Sequence, residues 1–203
     1  MPVLTIEVAR RSAGPERPLR AALAAALVCL LAGGCTSSST STTFDLSAPQ
    51  RVRDSGAVRG QIAVNTPTAL QVLEAERILV KDRGAVSFLS GAQWADQLPR
   101  LIQARLIQTF ENGSRLKAVS RPGDRIVADY QLNSEIRSFQ IDAGTREAVV
   151  EISVKLVNDR AGKIVSAKVF RARVPVAAIE AGQAAQALDR ALSSVLVQIV
   201  RWA

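Results

Sequence analysis

The stretch ADYQLNSEIRS, residues 128–138, decides the fold because it carries the clearest strand pattern in the chain. Tyr130, Leu132 and Ile136 are apolar, and polar residues lie between them. Since successive side chains of a β-strand point to opposite faces, this alternation predicts one apolar and one polar face. The apolar residues change parity near Ser138, which predicts a β-bulge there.

Two further strands follow. Residues 148–156 repeat the alternation, and residues 165–174 come after the turn-forming segment NDRAG, residues 158–162. In the last strand the apolar residues change parity between Val169 and Phe170, which predicts a second bulge. Short turns between consecutive strands indicate an antiparallel meander.

Shorter strands are predicted in the first half of the chain. Residues 44–46 and 61–64 are short apolar segments, the second of which runs into a turn with proline. Residues 77–81 and 85–89 flank Asp82-Arg83-Gly84, a spacing that predicts a β-hairpin.

Two segments have helical periodicity. One has an apolar residue at every fourth position, namely Trp94, Leu98, Ile102, Leu106 and Phe110. This stripe predicts a helix with Asp96 as its cap and Pro99 in its first turn. The alternative is a start nearer Ser90, in which case Pro99 should kink the helix. The second amphipathic segment runs from Ala184 to Trp202. We therefore predict an α+β fold, an antiparallel β-sheet with two amphipathic helices packed on one face.

Residues 1–34 have the plan of a lipoprotein signal peptide. Several arginines precede an uncharged run, residues 21–32, which is shorter than the roughly 20 apolar residues of a membrane-spanning helix. The run leads into Leu31-Ala32-Gly33-Gly34-Cys35, which resembles a bacterial lipobox. Cys35 is therefore the expected lipidation site, where the thiol receives a diacylglyceryl group and acyl chains of the palmitate type anchor the protein to the membrane.

Two regions are predicted after the signal peptide. Residues 35–42, rich in Ser and Thr, are predicted to form a tether, and residues 43–203 a single α+β domain. Lipidation places this domain in the cell envelope, facing the periplasm. Thr36 and Ser37 follow the cysteine without the Asp of the inner-membrane retention signal, which favours the outer membrane over the inner membrane.

The composition excludes several classes of function. The formal net charge is +8, which in a cytosolic protein would indicate nucleic acid as a partner. Export excludes nucleic acid and leaves anionic lipid headgroups, lipopolysaccharide phosphates or an acidic protein surface. The chain has no histidine and two cysteines, one in the leader and one at the lipidation site. Catalysis by Ser-His-Asp or Cys-His and the usual zinc sites are thereby excluded, and we expect no cofactor or metal.

Three basic residues on the last predicted strand, Lys168, Arg171 and Arg173, are the candidates for binding a partner. They either face an acidic partner or form a solvated sheet surface. Trp94 and Trp202 lie on the apolar stripes of the predicted helices, so we interpret both as core residues.

A group of carboxylates on the polar face raises the question of catalysis. These are Asp129, Glu135, Glu147 and Glu151. A glycosidase needs two such groups about 5–9.5 Å apart in a cleft. No feature of the sequence indicates a cleft, and charged residues are ordinary on the wet face of a strand. We therefore predict that the protein is not an enzyme.

Several short motifs follow one another along the chain: Phe44-Asp45-Leu46 after the expected lipidated cysteine, Ile62-Ala63-Val64, Arg77-Ile78, Trp94-Ala95-Asp96-Gln97-Leu98 at the start of a predicted helix, Tyr130-Gln131-Leu132, the hairpin at Gly162 and the terminal helix. In this order, they resemble the segments of the ABC-type transport auxiliary lipoprotein family. The segment after Pro67 lacks the aromatic residues common in the family.

The resemblance implies an accessory role without catalysis. Such lipoproteins accompany a permease, an ATPase and a protein with a mammalian-cell-entry (MCE) domain, which together move lipids or other hydrophobic molecules across the envelope. Members self-associate into rings, which implies a homo-oligomer. Two alternatives remain: a structural or assembly lipoprotein that binds peptidoglycan or an outer-membrane protein, and a lipid carrier that acts alone.

Overall fold

The computed structural model describes residues 41–50, 52, 60–113 and 118–203. The predicted signal peptide and Cys35 lie outside these residues. The described elements, in chain order, are β1 (Thr42–Phe44), β2 (Gln61–Val64), β3 (Thr68–Ala69), a 3₁₀ turn (Gln71–Leu73), β4 (Arg77–Asp82), β5 (Ala85–Trp94), α1 (Leu98–Gly113), β6 (Ala118–Ser120), β7 (Tyr130–Asp142), β8 (Glu147–Asn158), β9 (Lys163–Pro175) and α2 (Ala181–Trp202).

Strand β7 is the centre of a nine-stranded sheet in the described part of the chain. Along one edge it pairs with β8, which pairs in turn with β9, and both pairings are antiparallel. Along its other edge it pairs successively with β2, β3 and β4, all parallel to it. Strand β6 extends the sheet beyond β2, while β5 and then β1 extend it beyond β4. The predicted meander of β7, β8 and β9 is confirmed.

The α+β class is confirmed, but the prediction of an antiparallel sheet is wrong for its first half. The sheet is mixed, because β2, β3 and β4 run parallel to β7 and β1 runs parallel to β5. Parallel strands need a long crossover connection. The chain between β5 and β7 supplies it, since α1 lies in that interval.

One of the two predicted bulges is confirmed. The register of β7 against β8 shifts between Ile136 and Ser138, so Arg137 is the extra residue. The prediction of a bulge between Val169 and Phe170 is wrong, because pairing is regular there and the shift lies instead at Val165. Val169 is 45% exposed, so it lies outside the core although it is apolar.

The two helices cover one face of the sheet. The buried side chains of β7 and β8 on this face form a single core with those of α1 and α2. The larger fully buried side chains include Phe110 from α1 and Phe139 and Phe170 from the sheet. The stripe predicted for the terminal helix is confirmed, since Leu188, Leu192 and the other core-facing residues of α2 are buried. We call the opposite face of β7, β8 and β9, which no described helix covers, the outer face.

The first helix begins later than predicted. Trp94 is the last residue of β5, where it pairs with Phe44, and α1 starts at Leu98. Its placement on a helical stripe is therefore wrong. Trp94 is nevertheless in the core, 1% exposed, with its ring 5.7 Å from that of Phe139 in an edge-to-face contact. An inward-pointing residue at the end of a strand thus mimicked the helical spacing.

Of the two sequence signals at the start of α1, one is confirmed. Pro99 lies in the first turn as predicted, where its missing N–H leaves no bond unmade. The carboxylate of Asp96 accepts a hydrogen bond from the neighbouring Gln97 N–H at 2.7 Å, a local contact rather than a cap on the helix.

The predicted hairpin of β4 and β5 is confirmed. Arg83 and Gly84 both have positive φ in its tight turn.

Candidate functional site

Two of the three predicted basic residues lie together on the outer face. Arg171 of β9 is directly opposite Glu151 of β8, and Arg173 is opposite Val149, with Glu147 two positions along. The guanidinium of Arg171 is 3.5 Å from the Glu151 carboxylate, and that of Arg173 is 3.2 Å from Glu147. Each arginine is about half exposed, so the pairs form a charged ladder open to solvent.

Lys168 lies on the other face of the same strand. Its register partner is Val154, which is a core residue, and its ammonium is 5.3 Å from the centre of the Phe170 ring. The structure therefore separates Lys168 from Arg171 and Arg173. An ammonium above an aromatic ring is a favourable cation–π arrangement.

The four carboxylates considered for catalysis each have a cation of this chain near them. Besides the two pairs above, Glu135 lies 3.4 Å from Arg137 and Asp129 lies 3.8 Å from Arg160. Asp129 also accepts a hydrogen bond from the Gln61 backbone N–H at 3.0 Å, which joins β2 to the start of β7. This arrangement accounts for the carboxylates as parts of surface ion pairs.

A polar groove on the outer face was missed by the sequence reasoning. It has a volume of about 320 Å³ and is lined by Asn65, Thr66, Thr68, Asn133, Ser134, Glu135, Ser153 and Lys155. Its floor is the ladder of β7 and β8, in which Asn133 is opposite Lys155 and Glu135 is opposite Ser153. The turn between β2 and β3 forms its wall. Its residues come from three distant segments, so no local signal in the sequence pointed to it.

The groove is held in shape by amide hydrogen bonds. The Asn65 side-chain amide donates to Gln131 at 3.2 Å and also to the carbonyl oxygen of the Asn133 side chain. The Asn65 backbone N–H donates to the Leu132 carbonyl at 3.1 Å. The groove wall is therefore fixed to β7 by both main chain and side chain.

A second feature is an extended segment that crosses the helix layer. We call residues 45–50 the strap. Asp45 lies 2.5 Å from Arg105 of α1, and Asn112 of the same helix donates a hydrogen bond to the Pro49 carbonyl at 3.0 Å. Ser47 bonds to Asp189 of α2. The strap thus contacts both helices.

Neither helix in the described part of the chain combines the length and the hydrophobicity that a membrane-spanning segment needs. No group of three or more His, Cys, Asp or Glu side chains in residues 41–50, 52, 60–113 and 118–203 is arranged to hold a metal ion.

The chain matches the sequence model of a known protein family. The sequence model of the ABC-type transport auxiliary lipoprotein component matches residues 44–200. The chain belongs to this family. The resemblance seen in the sequence is therefore confirmed.

Solved structures that are similar to this chain agree with the fold. A crystal structure of protein XCC0632 from Xanthomonas campestris, of family DUF330, is 26% identical with a TM-score of 0.71, covering 79% of this chain and 94% of that one. A crystal structure of an uncharacterized protein has a TM-score of 0.61 at 12% identity, covering 80% of this chain and 97% of that one, and shows the fold alone.

A sequence relative is longer than this chain. Uncharacterized protein bll6063 of Bradyrhizobium diazoefficiens is 32% identical over 162 residues, which are 79% of this chain and 44% of that protein. The chain therefore spans less than half the length of this relative.

Proposed function

We propose that this protein is the membrane-anchored periplasmic auxiliary subunit of an MCE-type ABC transport system that moves lipids or other hydrophobic molecules across the cell envelope. The observation that carries the proposal is the family match over residues 44–200, which covers strands β2 to β9, α1 and nearly all of α2. The domain works by docking onto the MCE-domain protein and its permease and ATPase, and it has no catalytic step.

Anchoring at Cys35 is part of this proposal. The residues before Cys35 have lipobox character, and Thr36 and Ser37 after it favour the outer membrane. More than one acyl chain gives stable attachment, because a single chain holds a protein only marginally. A Cys35→Ser variant should lose incorporation of labelled palmitate and leave the membrane fraction, and retention of both would overturn the anchor.

Arg171 and Arg173 are the residues that we propose for contact with an acidic surface of a partner. They share the outer face and are each about half exposed, which supports the proposal. Lys168 is the weaker candidate of the three because its ammonium lies above the Phe170 ring on the other face. A homo-oligomer, as implied by the rings of other family members, would present several copies of this surface to one partner.

The experiment that tests the function is in vivo crosslinking of the full-length lipoprotein, followed by affinity purification from solubilised envelopes and mass spectrometry. Recovery of an MCE-domain protein together with a permease and an ATPase is the expected result. Another lipoprotein of similar abundance serves as the control for carry-over. Recovery of peptidoglycan-associated or barrel-assembly proteins instead would overturn the proposal in favour of a structural role.

A further inference from the structure

We propose that the groove and the exposed apolar residues of β9 beside it bind one amphiphile, with a phosphoethanolamine-type head in the groove and an acyl chain along the strand. The inference rests on the proposed function and names the class of molecule that this domain contacts. It is argued from three features of the outer face: an unpaired hydroxyl and ammonium, an adjacent carboxylate and a row of exposed apolar side chains.

The groove has hydrogen-bond donors without partners in the described part of the chain. Ser153 is only 8% exposed, yet its hydroxyl makes no hydrogen bond to any described residue. The Ser153 oxygen is not fully buried, so a ligand oxygen that reaches this hydroxyl replaces water in a hydrogen bond that the protein itself does not make. Lys155, two residues along the same face, is exposed and has no described carboxylate within ion-pair distance. An ammonium beside a free hydroxyl suits a phosphate oxygen.

The opposite charge lies diagonally across the ladder. Glu135 is opposite Ser153, and Asn133 is opposite Lys155, so Glu135 and Lys155 are diagonal neighbours on one face. Diagonal neighbours are about 7–8 Å apart at their Cα atoms, within reach of long side chains. Glu135 uses one carboxylate oxygen toward Arg137, at 3.4 Å, and the other remains to accept from a ligand ammonium. The groove therefore presents a cation and an anion to a zwitterion.

Exposed apolar residues continue from the groove across β9. Val169 is opposite Ser153, Ala167 is opposite Lys155 and Ile164 is opposite Val157, so all three share the outer face. Val169 is 45% exposed and Ile164 is 58% exposed. Contiguous exposed apolar residues beside a polar groove are typical of a surface that binds an amphipathic partner. An acyl chain lying along Val169 and Ile164 would cover them.

Simpler ligands fit this surface less well. A free phosphate is an anion with no ammonium group, so it would pair with Lys155 but would be repelled by the Glu135 carboxylate. A sugar usually stacks on an aromatic ring, and none of the residues that line the groove is aromatic. A zwitterionic amphiphile can pair its phosphate with Lys155 and its ammonium with Glu135, and its acyl chain can cover the exposed apolar residues of β9.

The test is a titration of isotopically labelled full-length lipoprotein in a neutral detergent, followed by backbone amide NMR. The probes are dihexanoylphosphatidylethanolamine, dihexanoylphosphatidylglycerol, which lacks the ammonium, and glycerophosphoethanolamine, which lacks the chains. We expect shifts at Ser153, Lys155 and Val169, with the first probe binding about tenfold more tightly than either other. If glycerophosphoethanolamine binds equally well, the site recognises a soluble ester and the apolar part of the proposal is overturned.

Two variants and a control sharpen the test. Lys155→Met and Glu135→Gln should each weaken binding of phosphatidylethanolamine about tenfold. Lys81→Met, at an exposed position of β4 opposite Asp142, should leave the affinity unchanged. Equal affinity in all variants, or shifts confined to other regions, would overturn the proposal. If the protein binds no lipid but the crosslinking experiment still recovers an MCE-domain protein, only the groove proposal is overturned. If the protein binds lipid but no MCE-domain protein is recovered, the proposed function is overturned.

Discussion

Asp189 of α2 holds Ser47 of the strap with both carboxylate oxygens. Its Oδ1 accepts the Ser47 backbone N–H at 2.7 Å, and its Oδ2 accepts the Ser47 hydroxyl at 2.6 Å. The two residues are 142 positions apart in the chain. Together with the Asp45–Arg105 ion pair on α1, these bonds connect the strap to both helices. The strap is therefore part of the domain.

Removal of this contact should destabilise the domain in proportion to the bonds lost. Ser47→Ala removes the hydroxyl bond and should lower the free energy of unfolding by about 1 kcal/mol, while Asp189→Ala removes both bonds and should lower it by about 2 kcal/mol. Arg190→Ala, at the exposed neighbouring position, should change it by less than about 0.5 kcal/mol. Urea denaturation followed by tryptophan fluorescence measures all three, and equal stability of the Ser47 and Arg190 variants would contradict the prediction.

The two tryptophans should differ in their contribution to stability. Trp94 is 1% exposed and touches Phe139 edge-to-face, whereas Trp202 is half-buried and makes the same type of contact with Phe170 at 5.5 Å. Trp94→Ala should cost about 3–5 kcal/mol of unfolding free energy because it leaves a large cavity. Trp202→Ala should cost roughly half as much because water already reaches part of its ring. Urea titrations followed by circular dichroism measure both, and a larger loss for Trp202 would contradict this ranking.

Two glycines of the helices form a matched pair. A Cβ added at Gly113, the last residue of α1, would overlap the side chain of Val52, whereas a Cβ at Gly182 in the first turn of α2 would meet open space. Gly113→Ala should lower the free energy of unfolding by about 1–3 kcal/mol through overpacking. Gly182→Ala should raise it by about 0.5–1 kcal/mol, because alanine favours the helix. Thermal denaturation of the two variants should therefore shift the midpoint in opposite directions, and a shift of the same sign would contradict the packing at Val52.

The parts of the fold that local patterns determine were predicted from the sequence. The alternation around Leu132 predicted β7, and its parity change predicted the bulge at Arg137. Strand direction was not predictable in this way, because a parallel and an antiparallel strand show the same alternation. Strands β2, β3 and β4 pair parallel with β7 because the chain crosses over through α1 before it enters β7. The path of that crossover depends on the whole chain and leaves no mark in any one strand.

The position of the bulge also decides which face of β9 carries Lys168. A bulge between Val169 and Phe170 would have turned Lys168 to the same face as Arg171 and Arg173. The strand is regular at that point, so Lys168 lies on the opposite face. The error came from treating Val169 as a core residue because it is apolar, whereas it is exposed on the outer face.

The groove could not be predicted from local sequence patterns. Asn65 and Ser153 are brought to the same groove only by the pairing of β2, β7 and β8.

The arginines of the outer face give the sharpest test of how the domain docks. An Arg171→Gln and Arg173→Gln double variant should lower recovery of the MCE-domain protein severalfold, because it removes two cations from the proposed contact surface. The fold should tolerate the change, since exposed ion pairs such as those with Glu151 and Glu147 contribute less than about 1 kcal/mol each. Lys168→Gln, on the opposite face of β9, is the comparison variant and should lower recovery much less than the double variant. Equal recovery from wild type and the double variant, or an equal loss in the Lys168 variant, would show that docking uses another surface.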